Sequence, residues 1–447
     1  MSRPGPDGGE APARAGNPQR MRMAVIGAGY VGLVQAGGLV RLGHEVRLGE
    51  RDRARLDALR AGRVPVYEPG LGTLLSEGLA TGRLSFHASN REAVDGASVV
   101  FIALPTPSGD GGSVDTSILD RAIADLAASL PAGSVLVIKS TVPVGTARRI
   151  SQMPAIVERD VRVVSNPEFL REGSAVEDFL APDRIVIGSA DPGVAELLAA
   201  GVYGDLPGER VVVDPASAEM IKYAANAYLA TRVSFVNSIA NLCEEVGADA
   251  AAVLGGMGRD HRIGSHYLAP GPGYGGSCLP KDTRALRAMA ERYGYDFRLL
   301  RAVMEVNDEQ RRRIVGKVTA AVGGKLSGAT VGLWGLAFKA GTDDVRESPA
   351  ADLALRLTGA GAAVRAYDPR ASLSMPGMEL VPDPLAAADG ADVLLVATEW
   401  PRFRQVDLIA VKEVMRGSVV VDARNHLDAE AVRAAGLSYR GVGTGRP

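Results

Sequence analysis

The segment RMAVIGAGYVGLVQAGGLVRLGHEVRLGERD, residues 22–52, decides the fold of the first part of the chain. Its apolar run at 23–26 predicts a buried parallel strand, which a glycine-rich turn follows. A helical stretch then ends at Gly43, and a second strand at 45–48 leads to Glu50. Strand, glycine-rich turn, helix, strand and acid in this order predict a dinucleotide-binding α/β unit.

The glycines of the turn each have a physical reason. Gly27 permits the tight turn, Gly29 lets the backbone approach a pyrophosphate, and Gly32 lets the helix pack closely on the strand. The helix N-terminus presents free N–H groups and a partial positive charge to the phosphates. Glu50 is expected to bond the adenosine ribose hydroxyls and to repel a 2′-phosphate. NAD is therefore favoured over NADP, although the arginines just after Glu50 weaken this preference slightly.

The composition is that of an ordinary globular chain and argues against several kinds of partner. Of its 447 residues 46% are hydrophobic and 23% are charged, and the length favours two or three domains. A formal charge of −2 gives no reason to expect a nucleic acid or a membrane as partner, and no apolar run reaches the ~18 residues of a membrane span. Residues 1–20 lack the apolar run of a secretory signal and are expected to form a disordered tail. The two cysteines lie far apart, so we expect a reducing, cytoplasmic setting.

Three later apolar runs are each followed by a cluster of polar residues. The predicted strands cover residues 99–104, 134–140 and 162–165. The polar residues that follow them include Thr106, Thr141, Glu168 and Glu172. In open α/β sheets ligands bind at the carboxyl ends of the strands, so three such clusters in succession favour a site over simple turns, although any one of them could be a turn.

A long helix is predicted in the middle of the chain. Asp214, followed by proline, suits a helix start, no glycine or proline interrupts the stretch 216–246, and Gly247 can end it. Lys222 and Asn226 lie four residues apart and share one face. By spacing alone, Lys222 is either a side chain that reaches out to solvent or a functional ammonium group, and the first is the better interpretation.

In the last third of the chain, residues 329–422 again alternate between predicted strands and helices. Lys339, Arg346 and Arg424 all follow predicted strands, where cations suit phosphate groups. Lone surface cations are the alternative for each of them, but their joint placement favours an anion site.

The stretch GPGYGGSCLPKDT, residues 271–283, places Cys278 in a glycine-rich loop. A structural cysteine is normally surrounded by apolar residues, and this one is not. We expect no metal site, because the histidines form no metal-ligand pattern with cysteine or acid. All five are expected at the surface, namely His44, His87, His261, His266 and His426.

From about residue 21 to residue 430 the chain resembles the UDP-glucose/GDP-mannose dehydrogenase family. The resemblance is carried by GAGYVG, YEPGL, LPTP, KSTVPVGT, NPEFLREG, EMIKYAANAYLATRVSFVN, GRDHRIG, GPGYGGSCLPKD, GLAFKAGTDDVRESPA, YDP and DARN. It implies an α/β fold with two Rossmann-like doubly wound domains joined by a long central helix, in a homodimer or higher homo-oligomer. The expected units are a dinucleotide domain at 21–206, a central region with the cysteine loop at 207–322, and a UDP-sugar domain at 323–447.

The resemblance also implies a reaction. Such enzymes oxidise a primary alcohol twice with NAD, and the loop around Cys278 resembles that of members acting on UDP-glucose, which gives UDP-glucuronate. A thiolate at Cys278 would turn the intermediate aldehyde into a thiohemiacetal and then a thioester, and bare glycines would let the sugar approach the sulfur. The alternatives are the same chemistry on GDP-mannose or a UDP-acetamido sugar, a single-step dehydrogenase of the 6-phosphogluconate type, and a non-enzymatic NAD-binding scaffold.

Residue roles follow from the resemblance by position. Lys222 would stabilise oxyanions beside Asn226, Asp282 with Thr141 would position a water and tune the lysine, and Glu168 would act as acid and base through water. The expected NAD contacts are Gly27, Gly29, Tyr30, Val31, Gly32, Glu50, Thr106, Thr141, Glu172 and Arg346. The expected substrate contacts are Glu168, Phe169, Leu170, Glu172, Lys222, Asn226, Arg262, Tyr267, Leu268, Tyr274, Gly275, Lys339 and Arg424, with Arg262 reaching a neighbouring subunit.

Overall fold

Eight strands build the first sheet of the molecule, which is a computed structural model that describes residues 20–444. Its strands are β1 Arg22–Ile26, β2 Glu45–Gly49, β3 Leu84–His87, β4 Val99–Ile102, β5 Val135–Ile138, β6 Arg162–Ser165, β7 Arg184–Gly188 and β8 Glu209–Val213. They lie in the order β3-β2-β1-β4-β5-β6-β7-β8. All neighbours are parallel except β6 and β7, which meet in antiparallel fashion at Ser165 and Gly188. The tail predicted at 1–20 lies outside the described residues apart from Arg20.

Both faces of this sheet are covered. Along β1, Met23 and Val25 pack in one apolar cluster, whereas Ala24 and Ile26 pack in another on the opposite face. Every residue of β4 is buried. Strands buried on both sides have to be apolar throughout, which explains why they appear in the sequence as continuous apolar runs.

Six parallel strands form a second sheet. They are β9 Thr330–Trp334, β10 Ala363–Tyr367, β11 Met378–Leu380, β12 Val393–Val396, β13 Val419–Asp422 and β14 Ser438–Arg440. Their order is β11-β10-β9-β12-β13-β14, which matches the first six positions of the other sheet in pattern. This is the doubly wound arrangement of dinucleotide-binding folds, in which ligands bind where the strand order reverses.

Seventeen α-helices between residues 20 and 444 surround and connect the sheets. They are α1 Tyr30–Arg41, α2 Arg53–Arg60, α3 Leu71–Ala80, α4 Asn90–Val94, α5 Ser117–Ala127, α6 Thr146–Ser151, α7 Pro154–Glu158, α8 Ala175–Leu180, α9 Pro192–Glu196, α10 Pro215–Val246, α11 Ala250–Gly258, α12 Leu279–Arg292, α13 Arg298–Ala321, α14 Pro349–Gly359, α15 Pro384–Ala388, α16 Leu408–Val414 and α17 Ala429–Ala434. No helix in this part of the chain is long and apolar enough to cross a membrane.

Helix α10 connects the two halves, as predicted. Its 32 residues span about 48 Å at 1.5 Å per residue. Asp214 caps its start by accepting a hydrogen bond from Ser217 N, and Gly247 ends it with a left-handed backbone at φ 74°. Both α12 and α13 pack against it. The predicted fold, two Rossmann-like domains joined by a long central helix, is therefore confirmed.

The predicted domain boundaries remain predictions. Strand β8, which follows the expected end of the first domain at residue 206, pairs with β7 and completes the first sheet.

The prediction that all five histidines lie at the surface is wrong for two of them. His44 is buried, with Nε2 3.2 Å from Val202 O, and His426 is buried, with Nε2 2.8 Å from Trp400 O. Each ring is buried and bonds one backbone carbonyl, a pairing between distant segments that composition alone does not reveal.

Candidate active site

The turn between β1 and α1 has the shape that a dinucleotide requires. Gly27 has a φ of 104°, and a Cβ there would lie 2.6 Å from Ala103 O. A Cβ at Gly32 would lie 1.9 Å from Gly27 O, so helix and turn touch here. Gly29, in contrast, faces open space, and no side chain caps the helix behind it. An uncapped helix N-terminus beside open space fits a pyrophosphate.

Glu50 is held in place by the backbone at the end of β2. Its carboxylate accepts hydrogen bonds from Ala28 N at 3.1 Å and Asp52 N at 2.9 Å, and Arg55 Nη1 lies 3.3 Å away. The acid is therefore oriented beside the turn before any nucleotide binds. These residues fit NAD, and the contact of Arg55 with Glu50 was not predicted.

Tyr30 and Val31, both predicted NAD contacts, are half-buried at the start of α1. The Tyr30 hydroxyl donates to the buried Glu68, and Gly173 N donates to both of them. Glu68 also accepts from Ala175 N at 2.7 Å. This contact ties the dinucleotide turn to the loop that carries Glu168 and Glu172.

Thr106 and Thr141 meet where β4 and β5 end. The Thr106 hydroxyl donates to Thr141 O at 2.8 Å. Glu219 on α10 accepts from Gly145 N at 2.6 Å and from Ala147 N at 2.8 Å. The Thr141 loop is thus attached to α10 three residues before Lys222, by an acid that no sequence pattern had singled out.

Lys222 does not reach out to solvent, contrary to the interpretation from spacing alone. Its side chain is 3% exposed, and Nζ donates to Glu168 Oε1 at 2.9 Å, in a carboxylate that is 8% exposed. Burial alone would lower the pKa of Lys222, but Glu168, Cys278 and Asp282 together raise it. Burial would raise the pKa of Glu168, and Lys222 lowers it. We therefore assign an ammonium–carboxylate pair.

A second lysine lies behind this pair and was missed. Lys139 at the end of β5 is buried, and Nζ donates to Asn166 Oδ1 at 3.0 Å. Burial lowers its pKa to about 8, although Glu168 opposes this shift. Its only sequence signal is a lysine directly after an apolar strand. Its charge helps to keep Glu168 ionised.

Asn226 and Asp282 are brought together one turn along α10. Asn226 Nδ2 donates to Asp282 Oδ2 at 2.6 Å, and Lys281 Nζ donates to Oδ1 at 2.6 Å. Asp282 lies in the first turn of α12, where the helix favours a negative charge. Its charge also acts on Lys222.

Cys278 occupies the residue before α12, at the N-terminus of a 14-residue helix. Burial raises the pKa of its thiol and the charge of Glu168 raises it further, whereas Lys222 lowers it. The helix N-terminus also favours a thiolate. Both cysteines are free, and Cys243 is buried on α10.

The cysteine loop is fixed from two sides by amide side chains. Asn237 Oδ1 of α10 accepts from Gly271 N, and Gln310 Nε2 of α13 donates to Gly271 O. Asn307 of α13 bonds both the N–H and the carbonyl of Tyr274. None of these three amides was predicted, because polar residues spaced along a helix look like a solvated face.

Close packing requires a glycine at position 275, in addition to the predicted contact of Gly275 with substrate. A Cβ there would lie 2.4 Å from Glu347 O and 2.4 Å from Pro349 Cδ. The loop can therefore lie directly against the start of α14 in the other domain.

Glu172 connects three parts of the molecule. Its carboxylate accepts from Ser277 Oγ at 2.9 Å and from Thr342 Oγ1 at 3.2 Å, and Arg346 Nη2 lies 3.5 Å away. Arg346 also pairs with Asp344 at 2.6 Å. The loop after β6 is thereby joined to the cysteine loop and to the second α/β domain.

The cations predicted for an anion site lie at the ends of β9 and β13. Arg424 donates to Ala397 O at 3.1 Å and Phe338 O at 2.6 Å. Lys339 Nζ lies 5.7 Å from the centre of the Phe338 ring, and burial lowers its pKa while Glu172 raises it. Both cations border the same phenylalanine, Lys339 lies in the field of Glu172, and Arg424 pairs with Glu399 at 3.1 Å.

Some of the predicted sugar contacts lie near the Lys222–Glu168 pair, and the others pack in apolar clusters. Phe169 lies beside the pair, 5.3 Å from Lys222 Nζ, and the charge of Lys222 also reaches the Tyr267 hydroxyl. Leu268 and Tyr274 are buried in apolar clusters. Leu170 is half-buried and packs against the core of the first sheet.

Arg262 is not brought to this site. It is 79% exposed and pairs with Asp260 at 2.6 Å, so any contact it makes with substrate would have to be in another subunit.

No cluster of His, Cys, Asp and Glu between residues 20 and 444 could hold a metal ion. The described residues of the site are a thiol, cations and carboxylates next to a dinucleotide turn. Such an arrangement places the chain among the NAD-dependent dehydrogenases.

Comparison with known proteins gives the family. Models of the UDP-glucose/GDP-mannose dehydrogenase family match as its NAD binding domain at 21–206, its central domain at 216–309 and its UDP binding domain at 332–429. The chain belongs to this family, as the resemblance predicted. It is 45% identical over 444 residues to a UDP-glucose 6-dehydrogenase of Pseudomonas aeruginosa, covering 95% of this chain and 98% of the relative.

Two solved structures share the fold over nearly the whole chain. A UDP-glucose dehydrogenase of Pyrobaculum islandicum is 38% identical with a TM-score of 0.88, covering 96% of this chain and 99% of the other. A UDP-D-ManNAc dehydrogenase of Pyrococcus horikoshii is 28% identical with a TM-score of 0.85, covering 95% and 99%. The protein is an NAD-dependent oxidoreductase.

Proposed function

We propose that this enzyme oxidises the primary alcohol of UDP-glucose to the carboxylate of UDP-glucuronate, with two NAD per sugar. The observation that carries the proposal is Cys278 at the N-terminus of α12, within the field of Lys222 and beside the dinucleotide domain. A cysteine is not required to oxidise an alcohol to an aldehyde, but it is suited to carry an aldehyde to the acid level.

The chain's residues divide the work as follows. When bound, NAD supplies the hydride acceptor for both oxidations. Lys222 and Asn226 stabilise the alkoxide that forms at C6. Cys278 then adds to the aldehyde carbon, and the new oxyanion of the thiohemiacetal lies next to the same ammonium group. Oxidation of this adduct gives a thioester, and water attacks it to release the carboxylate and the thiol.

Glu168 and Asp282 act on protons and charge rather than as nucleophiles. Glu168 holds the ammonium form of Lys222 and can pass a proton through a water at the reacting carbon. Asp282 keeps the amide of Asn226 oriented, and Thr141, which follows β5, is proposed to help Asp282 position a water. The pairings of Lys222 with Glu168 and of Asn226 with Asp282 support these roles.

Lys339 and Arg424 are proposed ligands of the UDP diphosphate, and Arg346 a contact of NAD. All three residues belong to the second domain. Arg346 and Lys339 lie near the Glu172 carboxylate, and Arg424 donates to the backbone carbonyl of Phe338. Free cysteines suit a reducing compartment, and we propose the cytoplasm.

Stoichiometry tests the proposed reaction. Purified enzyme with UDP-glucose is expected to form about two NADH for each sugar consumed, because a carboxylate lies four electrons above the alcohol. Absorbance of NADH with chromatography of the sugar nucleotide measures both quantities. A ratio of about one would contradict the cysteine chemistry. Turnover of GDP-mannose or a UDP-acetamido sugar, without turnover of UDP-glucose, would move the substrate to the alternative class.

We also propose a homodimer or higher homo-oligomer formed along α10. Tyr228, Phe235 and Leu242 recur every seven residues on this helix, and each is more than half exposed. Side chains at this spacing form one apolar stripe, and the stripe is complementary to a second copy of itself across a two-fold axis.

Charges placed in that stripe are expected to separate the subunits. Phe235→Glu with Leu242→Glu buries like charges across a two-fold interface, so the mass in solution should fall from that of the oligomer to that of one chain. Light scattering after size exclusion measures the mass. The matched control is Leu355→Glu, an equally exposed leucine on α14. An unchanged mass in the double variant would place the interface elsewhere.

A further inference from the structure

Ser277 lies between the nucleophilic sulfur and a carboxylate from another part of the chain. Its Oγ is 3.6 Å from Cys278 Sγ and donates to Glu172 Oε1 at 2.9 Å. The three groups therefore form a continuous hydrogen-bonded line from thiol to carboxylate. The sequence assigned Glu172 to NAD and substrate and assigned nothing to Ser277.

The other carboxylates near the thiol are already engaged. Glu168 accepts from Lys222 Nζ through Oε1 and from Leu170 N through Oε2. Asp282 accepts from Asn226 through Oδ2 and from Lys281 through Oδ1. Among residues 20–444, Glu172 is the acid that hydrogen bonds join to the sulfur.

The pKa of Glu172 is raised, as a proton acceptor near neutral pH requires. Burial and the neighbouring Asp344 raise its pKa to about 7, against the opposing bonds from Ser277 and Thr342 and the charge of Arg346. The pKa of Glu168, in contrast, lies below its usual value. The charged and titratable groups that face Glu172 or the thiol are Tyr30, Glu168, Lys222, Asp282, Lys339, Asp344 and Arg346.

We propose that Ser277 and Glu172 form a proton relay that deprotonates Cys278 as it attacks the aldehyde. The inference deepens the proposed function and depends on Cys278 being the nucleophile.

The transfer balances within the chain. As the C–S bond forms, the thiol proton moves to Ser277 Oγ, and the Ser277 hydroxyl proton moves to Glu172 Oε1. The products are the thiohemiacetal oxyanion and a neutral Glu172. When water later cleaves the thioester, the same relay returns this proton from Glu172 to the departing sulfur, and both protons of the attacking water leave to solvent as the carboxylate forms.

The test is alkylation of Cys278 by iodoacetamide in the full-length enzyme without substrate. The background is Cys243→Ser, so that one thiol remains. Intact mass measures the rate between about pH 5 and pH 9. Because the carboxylate form accepts the proton, the rate should rise with pH through about 7, the pKa of Glu172.

Two substitutions break the relay at different atoms. Glu172→Gln keeps an oxygen that accepts from Ser277 but removes the base, and Ser277→Ala removes the bridge. Each should lower the rate at neutral pH by roughly 10- to 100-fold and abolish the rise near pH 7, as loss of a general base does. Ser277→Thr keeps the hydroxyl and should restore the rate and the rise.

If Glu172 acted on the thiol through its charge alone, Glu172→Gln would change the alkylation rate in the opposite direction. A carboxylate that acted only through its field would hinder the thiolate, so Glu172→Gln would then raise the rate of alkylation. An equal or higher rate in Glu172→Gln, or a rise near pH 7 that persists in Ser277→Ala, would overturn the relay.

Because this experiment needs no substrate, a negative result would reject the relay without rejecting the proposed function. A wild-type ratio of about two NADH per UDP-glucose, together with an unaltered alkylation profile in Ser277→Ala, would retain the function and reject the relay.

Discussion

Replacing Cys278 with serine should reduce the steady rate of UDP-glucuronate formation by at least about 10³-fold, since removing a covalent nucleophile costs on this order or more. A serine hydroxyl has almost no anionic form at neutral pH. The pKa of the Cys278 thiol is itself raised by burial, so this position disfavours the ionised form of a weak acid. The first oxidation uses Lys222 and the dinucleotide, which the substitution leaves in place. The variant should therefore form about one NADH per active site and then stop.

Rapid mixing with detection of NADH resolves the burst from the steady state. The matched control is Cys243→Ser, because Cys243 is the other free cysteine and lies buried on the far part of α10. It should retain a ratio of about two and a wild-type rate. Wild-type turnover by Cys278→Ser would exclude the thioester and require the aldehyde to be oxidised as its hydrate.

Local signals predicted the framework well. The cap at Asp214 and the stop at Gly247 bound α10 at Pro215–Val246, because caps satisfy backbone groups within one turn and are visible in a short stretch of sequence. The same holds for the turn at Gly27, Gly29 and Gly32, where each glycine answers a local steric demand.

Contacts between distant segments were not predictable in this way. Ser277 and Glu172 are 105 residues apart, and Lys139 and Asn166 are 27 apart. Each of these residues has an ordinary local explanation as a turn or surface residue. Lys222 shows the limit most clearly, since spacing alone favoured the solvent, and burial of its charge depends on Glu168, which is distant in sequence and pairs with it at 2.9 Å.

Lys222→Met should impair both activity and stability. Loss of the ammonium removes the group that we propose stabilises the oxyanions, which should cost about 10²–10³-fold in kcat. It also leaves the buried Glu168 carboxylate without its closest partner, a change of about 3–5 kcal/mol in other proteins. Lys139 remains near Glu168 and lowers its pKa, so we expect the lower end of that range.

A second substitution separates the two losses. In Lys222→Met with Glu168→Gln no carboxylate is left unpaired, so stability should recover toward that of the wild type, whereas kcat should stay low because the cation is still missing. Scanning calorimetry measures the stability, since it resolves successive transitions in a chain of several domains. NADH formation measures kcat.

A matched control is an ion pair near the C-terminal end of α10. Lys317 on α13 pairs with Glu244 on α10 at 2.6 Å, remote from the cysteine loop. Lys317→Met should lower the unfolding temperature with little change in kcat, because it breaks a helix-to-helix ion pair without touching the reacting atoms. If the double variant at 222 and 168 regained kcat together with stability, Lys222 would be a structural residue. If it regained stability alone, the buried pair would be the means by which the fold keeps a charged lysine next to Cys278.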